Sequence, residues 1–411
     1  MREPTASNRD APSARYALDA LVGVAAISLL TLVFAPTARM THDVSMHVRW
    51  ASDLLAGRSV PPDLAHQFFH RLVVLASRAT GLPPSTTGLD VWIATYAATA
   101  GALYFYLVAR LATAPGLARA LAAATLTAGL MLVGPLTFLT LPHKNVYLGY
   151  IAPNVYHNPT QSLIKPLAIA LFAATAAALA GRLPRGGWSF VFPTALAAVA
   201  GCLAKPSYAL CVLPAAGFFA VARLIWRRPV AWELLLAGVL LPTLAVLVWM
   251  YVSAYGGGAR SSLAWAPFAV AYHHSQLKAP GVGVFVIKQL GSILFPLLVL
   301  LLYPRGAVRD VHLGLGWLGF LAGAGWWYLF IERGPRWEHG NLGWSAQISL
   351  FLLFVASAAF VARRYLAQPI AAWTRGEILR LSAVGVALAL HVGSGLVWYF
   401  VHLSTPYMSW W

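Results

Sequence analysis

The sequence predicts an all-α polytopic membrane protein, with about eleven transmembrane helices and amphipathic juxtamembrane helices in its first outer loop. Three observations carry this expectation. Of 411 residues, 59% are apolar and only 10% are charged, which is too apolar for an ordinary soluble domain and excludes disorder. Runs of roughly eighteen or more apolar residues, the length that crosses a bilayer, recur along the chain. Every second connection between those runs is rich in arginine, the bias of cytoplasmic loops.

The candidate spans are roughly 16–36, 89–110, 117–140, 161–181, 188–204, 207–226, 231–254, 284–303, 311–331, 344–363 and 378–401. Residues 1–15 are polar, so the first run reads as a retained span and not a cleavable signal. The arginine-rich connections hold Arg110 and Arg119, then Arg182 and Arg185, then Arg223, Arg227 and Arg228, then Arg305 and Arg309, and finally Arg363, Arg364, Arg375 and Arg380. This parity puts the N-terminus in the cytoplasm and the C-terminus outside. No polar stretch is long enough to bury a core of its own, so residues 1–411 read as a single transmembrane domain. Cys202 and Cys211 lie in apolar runs without CxxC spacing and read as packing thiols.

The net charge of +17 is scattered over loops, with no basic helix or tail. That favours lipid head groups and anionic lipid-linked substrates over nucleic acid. All five lysines, and every histidine except His312 and His391, fall in outer loops or near outer span ends. Positive charge on that side opposes the usual bias, and an anionic ligand held there is the simplest reason.

The first outer loop, 37–88, is the longest. Val44, Val48, Ala51 and Leu55 line one stripe of an amphipathic helix from about Thr41 to Ala56. The stretch Ser59-Val-Pro-Pro-Asp63 reads as the start of a second one reaching about Arg78. Asp43 lies a few residues past the first span, where a carboxylate can accept a proton from an attacking hydroxyl; helix-dipole stabilisation is the plainer alternative. His47 sits one turn on and shares its face. Asp53, four residues after Arg49, reads as half of a surface ion pair. Asp63, His66 and His70 have i, i+3, i+7 spacing; His66 and His70 are thereby weak candidates for a divalent metal, with no fourth ligand evident.

The stretch PHKNVYLGYIAPNVYHNPTQSLIKPLA (142–168) is dense in groups suited to a sugar phosphate. His143, Lys144, His157 and Lys165 offer positive charge, and Tyr147, Tyr150 and Tyr156 offer ring faces. Asn158 reads as the cap of the fourth span, whose free N–H groups attract phosphate. Lys165 and Lys205 lie near outer span ends, where snorkelling is the competing account. In FIERGPRWEHGNLGW (330–344), Arg333 and Arg336 offer forked donors. Glu338, His339 and Asn341 offer hydrogen bonds there, and Trp337 a stacking face; a local Glu–Arg network is the alternative.

The run THDVSMHVRWASDLLAGR…PPDLAHQFFHRL, followed by many spans, resembles the start of the GT-C fold membrane glycosyltransferases. The likeness covers about the first hundred residues and the overall architecture, and Asp43 stands where that family places its catalytic acid. The acidic pair common there is a single Asp here, between His42 and Val44, so a divalent metal is a candidate cofactor and not an implied one. The resemblance implies inverting transfer from a polyprenyl-phosphate sugar to a hydroxyl of a glycan, glycolipid or protein acceptor, outside the cytoplasm, in a bacterial inner or plasma membrane. Asp43 would be the general base, and Lys165, Arg336 and His339, with Lys205, would hold the phosphate. Two other classes stay open: a transporter or flippase for an anionic lipid or sugar, and a polysaccharide polymerase or ligase. A flippase would carry charge along its spans; a ligase would use arginines and a histidine in a late outer loop.

Overall fold

The computed structural model describes residues 12–61, 64, 66–138, 148–183, 187–255, 262–276, 281–334 and 337–404. Among them the chain forms fifteen α-helices. The long helices α1 (Pro12–Phe34), α4 (Pro84–Arg110), α5 (Gly116–Leu132), α6 (Pro159–Leu179), α7 (Trp188–Ala204), α8 (Ser207–Ile225), α9 (Leu241–Tyr255), α11 (Val282–Leu302), α13 (Val311–Leu329), α14 (Gly343–Leu366) and α15 (Arg375–Ser404) correspond one for one to the eleven apolar runs. Eight of the runs form helices long and apolar enough to cross a membrane. Helices α5 and α7 are shorter, at 17 residues each, and α13, at 19 residues, is not among the eight. A π-helical turn, Leu234–Leu240, leads into α9. The short helices are α2 (His42–Leu55), α3 (Phe68–Thr80), α10 (Ala269–Gln276) and α12 (Pro304–Arg309).

Helix α14 is the axis of the bundle. It is apolar all round, and 89% of its apolar window is buried, against 22% for α1. An all-apolar helix inside and half-exposed ones outside is the arrangement expected when lipid is the outer solvent. Leu21, Val24, Leu29 and Leu32 of α1 accordingly point outward.

Between α5 and α6 the chain is buried but not helical over 133–137 and 148–158. The apolar run predicts a helix to residue 140; it ends at Leu132 because Gly134-Pro135 follows. The freed backbone groups are met from neighbouring helices. Gly134 N donates to the His391 carbonyl (3.0 Å) and Leu136 N to that of Gly291 (2.9 Å). His391 Nδ1 lies 2.7 Å from the Gly134 carbonyl, and Ile151 N donates to Ser292 Oγ (3.0 Å). Asn154 Nδ2 donates to the Leu130 and Val133 carbonyls, both at 2.9 Å. Lys288, inside α11, donates to the carbonyls of Leu148 (3.1 Å) and Ser275 (2.9 Å).

The two ends of the bundle differ in charge. At one end Asp310 caps α13 by accepting from Leu313 N (3.0 Å) and takes Arg110 and Arg363 at 2.7 Å each. Nearby, Asp19 takes Arg119 at 2.6 Å. The other end carries α2, α3, α10 and a two-stranded antiparallel ribbon, β1 (Ser262–Trp265) on β2 (Phe330–Arg333). The ribbon is an exception to the all-α expectation. Cys202 and Cys211 are buried and unbridged.

Helix α15 crosses the end of α5 with no room for a side chain: a Cβ on Gly395 would strike the Leu132 carbonyl and come 2.9 Å from Gly134 N. Gly395→Ala should therefore destabilise the protein by about 1–3 kcal/mol, read as a lower melting temperature in detergent. Gly393→Ala meets nothing within 4 Å and should melt like the parent.

Candidate active site

Helix α2 begins after Thr41, whose extended backbone (φ −93°, ψ 174°) breaks the path of the first span. The amphipathic stripe buries Val44, Val48 and Ala51. Val48 fits against α4 because position 88 is glycine; a Cβ there would lie 2.8 Å from it. Helix α3 starts at Phe68, later than the sequence predicts, so His66 precedes the helix and does not share a helical face with His70. Asp63 lies outside the described residues. Two buried polar contacts tie this hairpin together. His47 Nδ1 meets His70 Nε2 at 2.9 Å across α2 and α3, and Ser77 meets Thr87 at 2.7 Å across α3 and α4. Asp53 pairs with Arg58 (2.7 Å) and not with Arg49.

This packing leaves Asp43 half-buried in the first turn of α2, where the helix dipole favours its charge. Lys205, in the turn between α7 and α8, lies near enough for its ammonium to be influenced by this carboxylate. The Lys205 ammonium is buried, 4.0 Å from the Trp344 ring centroid, and donates to Thr160 Oγ1 (3.3 Å) and Asn158 Oδ1 (3.4 Å). Burial pushes Lys205 down to about 7, and the Asp43 carboxylate opposes that shift. Asn158 caps α6 as expected, accepting from Gln161 N at 2.9 Å. Gln161 in turn reaches the Trp344 carbonyl (3.3 Å), and His157 lies with its ring centroid 6.1 Å from that of Trp344. Thr41 Oγ1 is buried here without a hydrogen-bond partner. Arg39 closes the edge by donating to the carbonyls of His402 and Leu403, a cationic cap on the end of α15.

Of the residues the sequence singles out, the structure brings Asp43, His47, His157, Asn158 and Lys205 to one mouth, with His66 and His70 behind it. Lys165 lies deeper in α6, bonded to Asn154 and 4.8 Å from the Phe351 ring centroid. Tyr156 is enclosed by Phe34, Trp398, Tyr399 and His402, so its ring faces lie in the core and do not present themselves for stacking. Arg333, Trp337, Glu338, His339 and Asn341 form a separate loop beside α10. Arg333 pairs with Ser262 in the ribbon, Asn341 donates to Glu332 (2.7 Å), and the Trp337 ring is 5.0 Å from that of His273. The Glu338 carbonyl sits 2.6 Å from His274 Nε2, and His339 is exposed. His143, Lys144 and Arg336 lie outside the described residues. The sequence places Thr160 with the Asn158 cap and Trp344 at the end of the 330–344 loop, but gives no sign that both meet Lys205. A tryptophan opening an apolar helix reads as a membrane anchor until a lysine from another helix is seen over it.

A metal fits poorly with the groups described. His70 is engaged by His47, His66 is off its helix, and the described residues contain no group of three or more His, Cys, Asp or Glu able to hold an ion. What the mouth offers is a carboxylate that can take a proton, near an ammonium and an indole with a capped helix N-terminus beneath them. The chain matches no known family model, no curated protein and no solved structure.

Burial first, then the charges of His70, His66 and Lys205, holds His47 well below the usual imidazole range. Burial likewise takes His70 to about 4, against the opposing effect of the Gln67 backbone carbonyl, which favours the protonated ring. Both rings are neutral in the fold at pH 7, and the unfolded chain binds the extra protons as pH falls. Their contribution is thus present above the ordinary value of about 6.5 and is lost towards pH 4. Lowering the pH from 7 to 5 should remove about 2 kcal/mol through His70 alone, seen as a lower melting temperature. His70→Leu should show a markedly smaller fall.

Proposed function

We propose that this chain is a membrane glycosyltransferase of GT-C type that moves a sugar from a polyprenyl-phosphate donor to a hydroxyl of a glycan, glycolipid or protein acceptor, with inversion. The observation that carries the reading is the nearness of half-buried Asp43 to buried Lys205 at one mouth of the bundle. In this reading all eleven long helices cross a bacterial inner or plasma membrane. The N-terminus is cytoplasmic, and the mouth and C-terminus are extracytoplasmic. The arginine parity supports this orientation, as does the concentration of lysine and histidine at the mouth end.

The donor's tail lies among the spans, and its phosphate meets Lys205, Thr160 and the start of α6. The acceptor oxygen attacks the anomeric carbon from the face opposite the phosphate. The carbon–oxygen bond to phosphate breaks with its electron pair on the leaving oxygen, and Asp43 takes the acceptor's proton. Lys205 stabilises the charge that develops on the phosphate, in a site where burial makes that charge interaction strong. Trp344 holds the ammonium in place from beneath, as an indole face does for a cation.

The test is transfer from radiolabelled polyprenyl-phosphate hexoses and pentoses in membranes. Asp43→Asn should lose roughly 10²- to 10⁴-fold in turnover while still binding donor; transfer at the parental rate would end the proposal. Lys205→Met should weaken donor binding by roughly tenfold or more. Because Lys205 is cationic below about 7, donor binding should fall as pH rises past neutrality. Lys205→Arg, which stays charged, should flatten that fall.

A further inference from the structure

Helices α2 and α3 leave a groove of about 300 Å³ on their outer side, lined by Leu54, Arg71, Val74, Leu75 and Arg78. The four α3 residues stand at i, i+3, i+4 and i+7, so they form one helical face. On that face two exposed arginines flank apolar side chains, and Leu75 is 64% exposed. The opposite face of α3, with Phe69, His70, Val73 and Ser77, is the one packed against the bundle. The groove side is therefore not part of the core.

The charges in the groove are uncompensated. Arg71 makes one hydrogen bond, to Gln67 Oε1 (3.2 Å), and no carboxylate among the described residues pairs with Arg71 or Arg78. The nearest acid in sequence to Leu54 is Asp53, which is taken by Arg58. The groove also lies at a defined depth. Helix α3 ends at Thr80 and the spanning helix α4 begins at Pro84, while only residues 35–41 separate α1 from α2. Helices tethered this closely to span ends lie at the level of lipid head groups.

We propose that this groove binds one anionic phospholipid, its phosphate on Arg71 and Arg78 and its acyl chain along Leu54, Val74 and Leu75. Charge complementarity selects the head group: two guanidiniums without an acid favour phosphate. The exposed leucine between them selects a lipid over a soluble phosphate, because an aqueous anion would leave that apolar surface in water. The site is separate from the mouth at Asp43 and does not depend on the transferase reading; it requires only that the chain sits in a membrane.

The experiment uses the full-length protein in neutral detergent with equal amounts of phosphatidylglycerol and phosphatidylcholine of the same chains, with bound lipid counted by native mass spectrometry. At about 1 kcal/mol per basic residue near an anionic lipid surface, the groove should prefer phosphatidylglycerol by roughly ten- to thirtyfold. Arg71→Gln/Arg78→Gln should lose one bound phosphatidylglycerol and keep its melting temperature. Arg227→Gln/Arg228→Gln, which removes the same charge from the far end of the bundle, should retain that lipid. Equal binding of the two lipids, or unchanged phosphatidylglycerol on the Arg71/Arg78 variant, overturns the proposal. So does displacement of the lipid by glycerol phosphate, which would make the groove a site for a free phosphate.

Discussion

The structure depends on how it satisfies backbone groups where water cannot. A bilayer offers no hydrogen bonds, so an unpaired N–H or C=O at that depth costs several kcal/mol. Most of this chain meets the demand by being helical. The buried stretch around Gly134–Leu136 and Leu148–Asn158 cannot, and it borrows partners from three directions: His391 on α15, Gly291 and Ser292 on α11, and Asn154 folding back onto the last turn of α5. These loans explain otherwise expensive residues inside apolar helices. Lys288 is spent on two carbonyls, and Lys165 on the amide of Asn154. Each is a lysine in a span without an acid, and each helps to order the irregular segment, Lys288 directly and Lys165 through Asn154.

That irregular segment also builds the mouth. It delivers His157 and Asn158 to the start of α6, where Asn158 caps the helix and presents its side-chain oxygen to Lys205. The site is thus composed of helix ends: the start of α2, the end of α7, the starts of α6 and α14, and the end of α15 held by Arg39. Ends are where backbone donors, dipoles and polar side chains coincide. A buried ammonium between an indole, an amide and a hydroxyl has lost most of its water, so it interacts strongly with whatever charge approaches from the Asp43 side.

Much of this was legible in the sequence, and the boundary of legibility is physical. Apolar length located all eleven long helices, because the bilayer rule is one of composition and not of contact. The stripe of Val44, Val48, Ala51 and Leu55 located α2 to within a residue or two. Composition failed at 133–140, where a buried irregular segment is as apolar as a helix, and only Gly134-Pro135 marked the change. It failed again at α3: Pro61-Pro62 read as a helix start, while the helix begins at Phe68. Asp43 stood out by position. Its nearness to Lys205, 162 positions away in sequence, had no sequence signal, since lysines at span ends usually snorkel. The cluster at 332–341, rich in charge and aromatic rings, showed no sign in the sequence of its contacts: Asn341 with Glu332, the Glu338 carbonyl with His274, and Trp337 with His273.

The two ends of the bundle use charge in opposite ways. At the Asp310 end, acids and arginines are matched within the protein: Asp310 between Arg110 and Arg363, Asp19 with Arg119. Such pairs fix α1, α4, α5, α13 and α14 relative to one another, since removing either partner would strand a buried charge. At the mouth end, the groove arginines Arg71 and Arg78 pair with no carboxylate among the described residues, and the histidine pair behind Asp43 is neutral. Its neutrality matters, because His47 and His70 can brace the hairpin without adding positive charge that would draw Asp43 away from Lys205. A bundle locked by internal ion pairs at one end and left cationic at the other keeps its scaffold rigid while holding unbalanced charge only where an anion can approach from the lipid or from water.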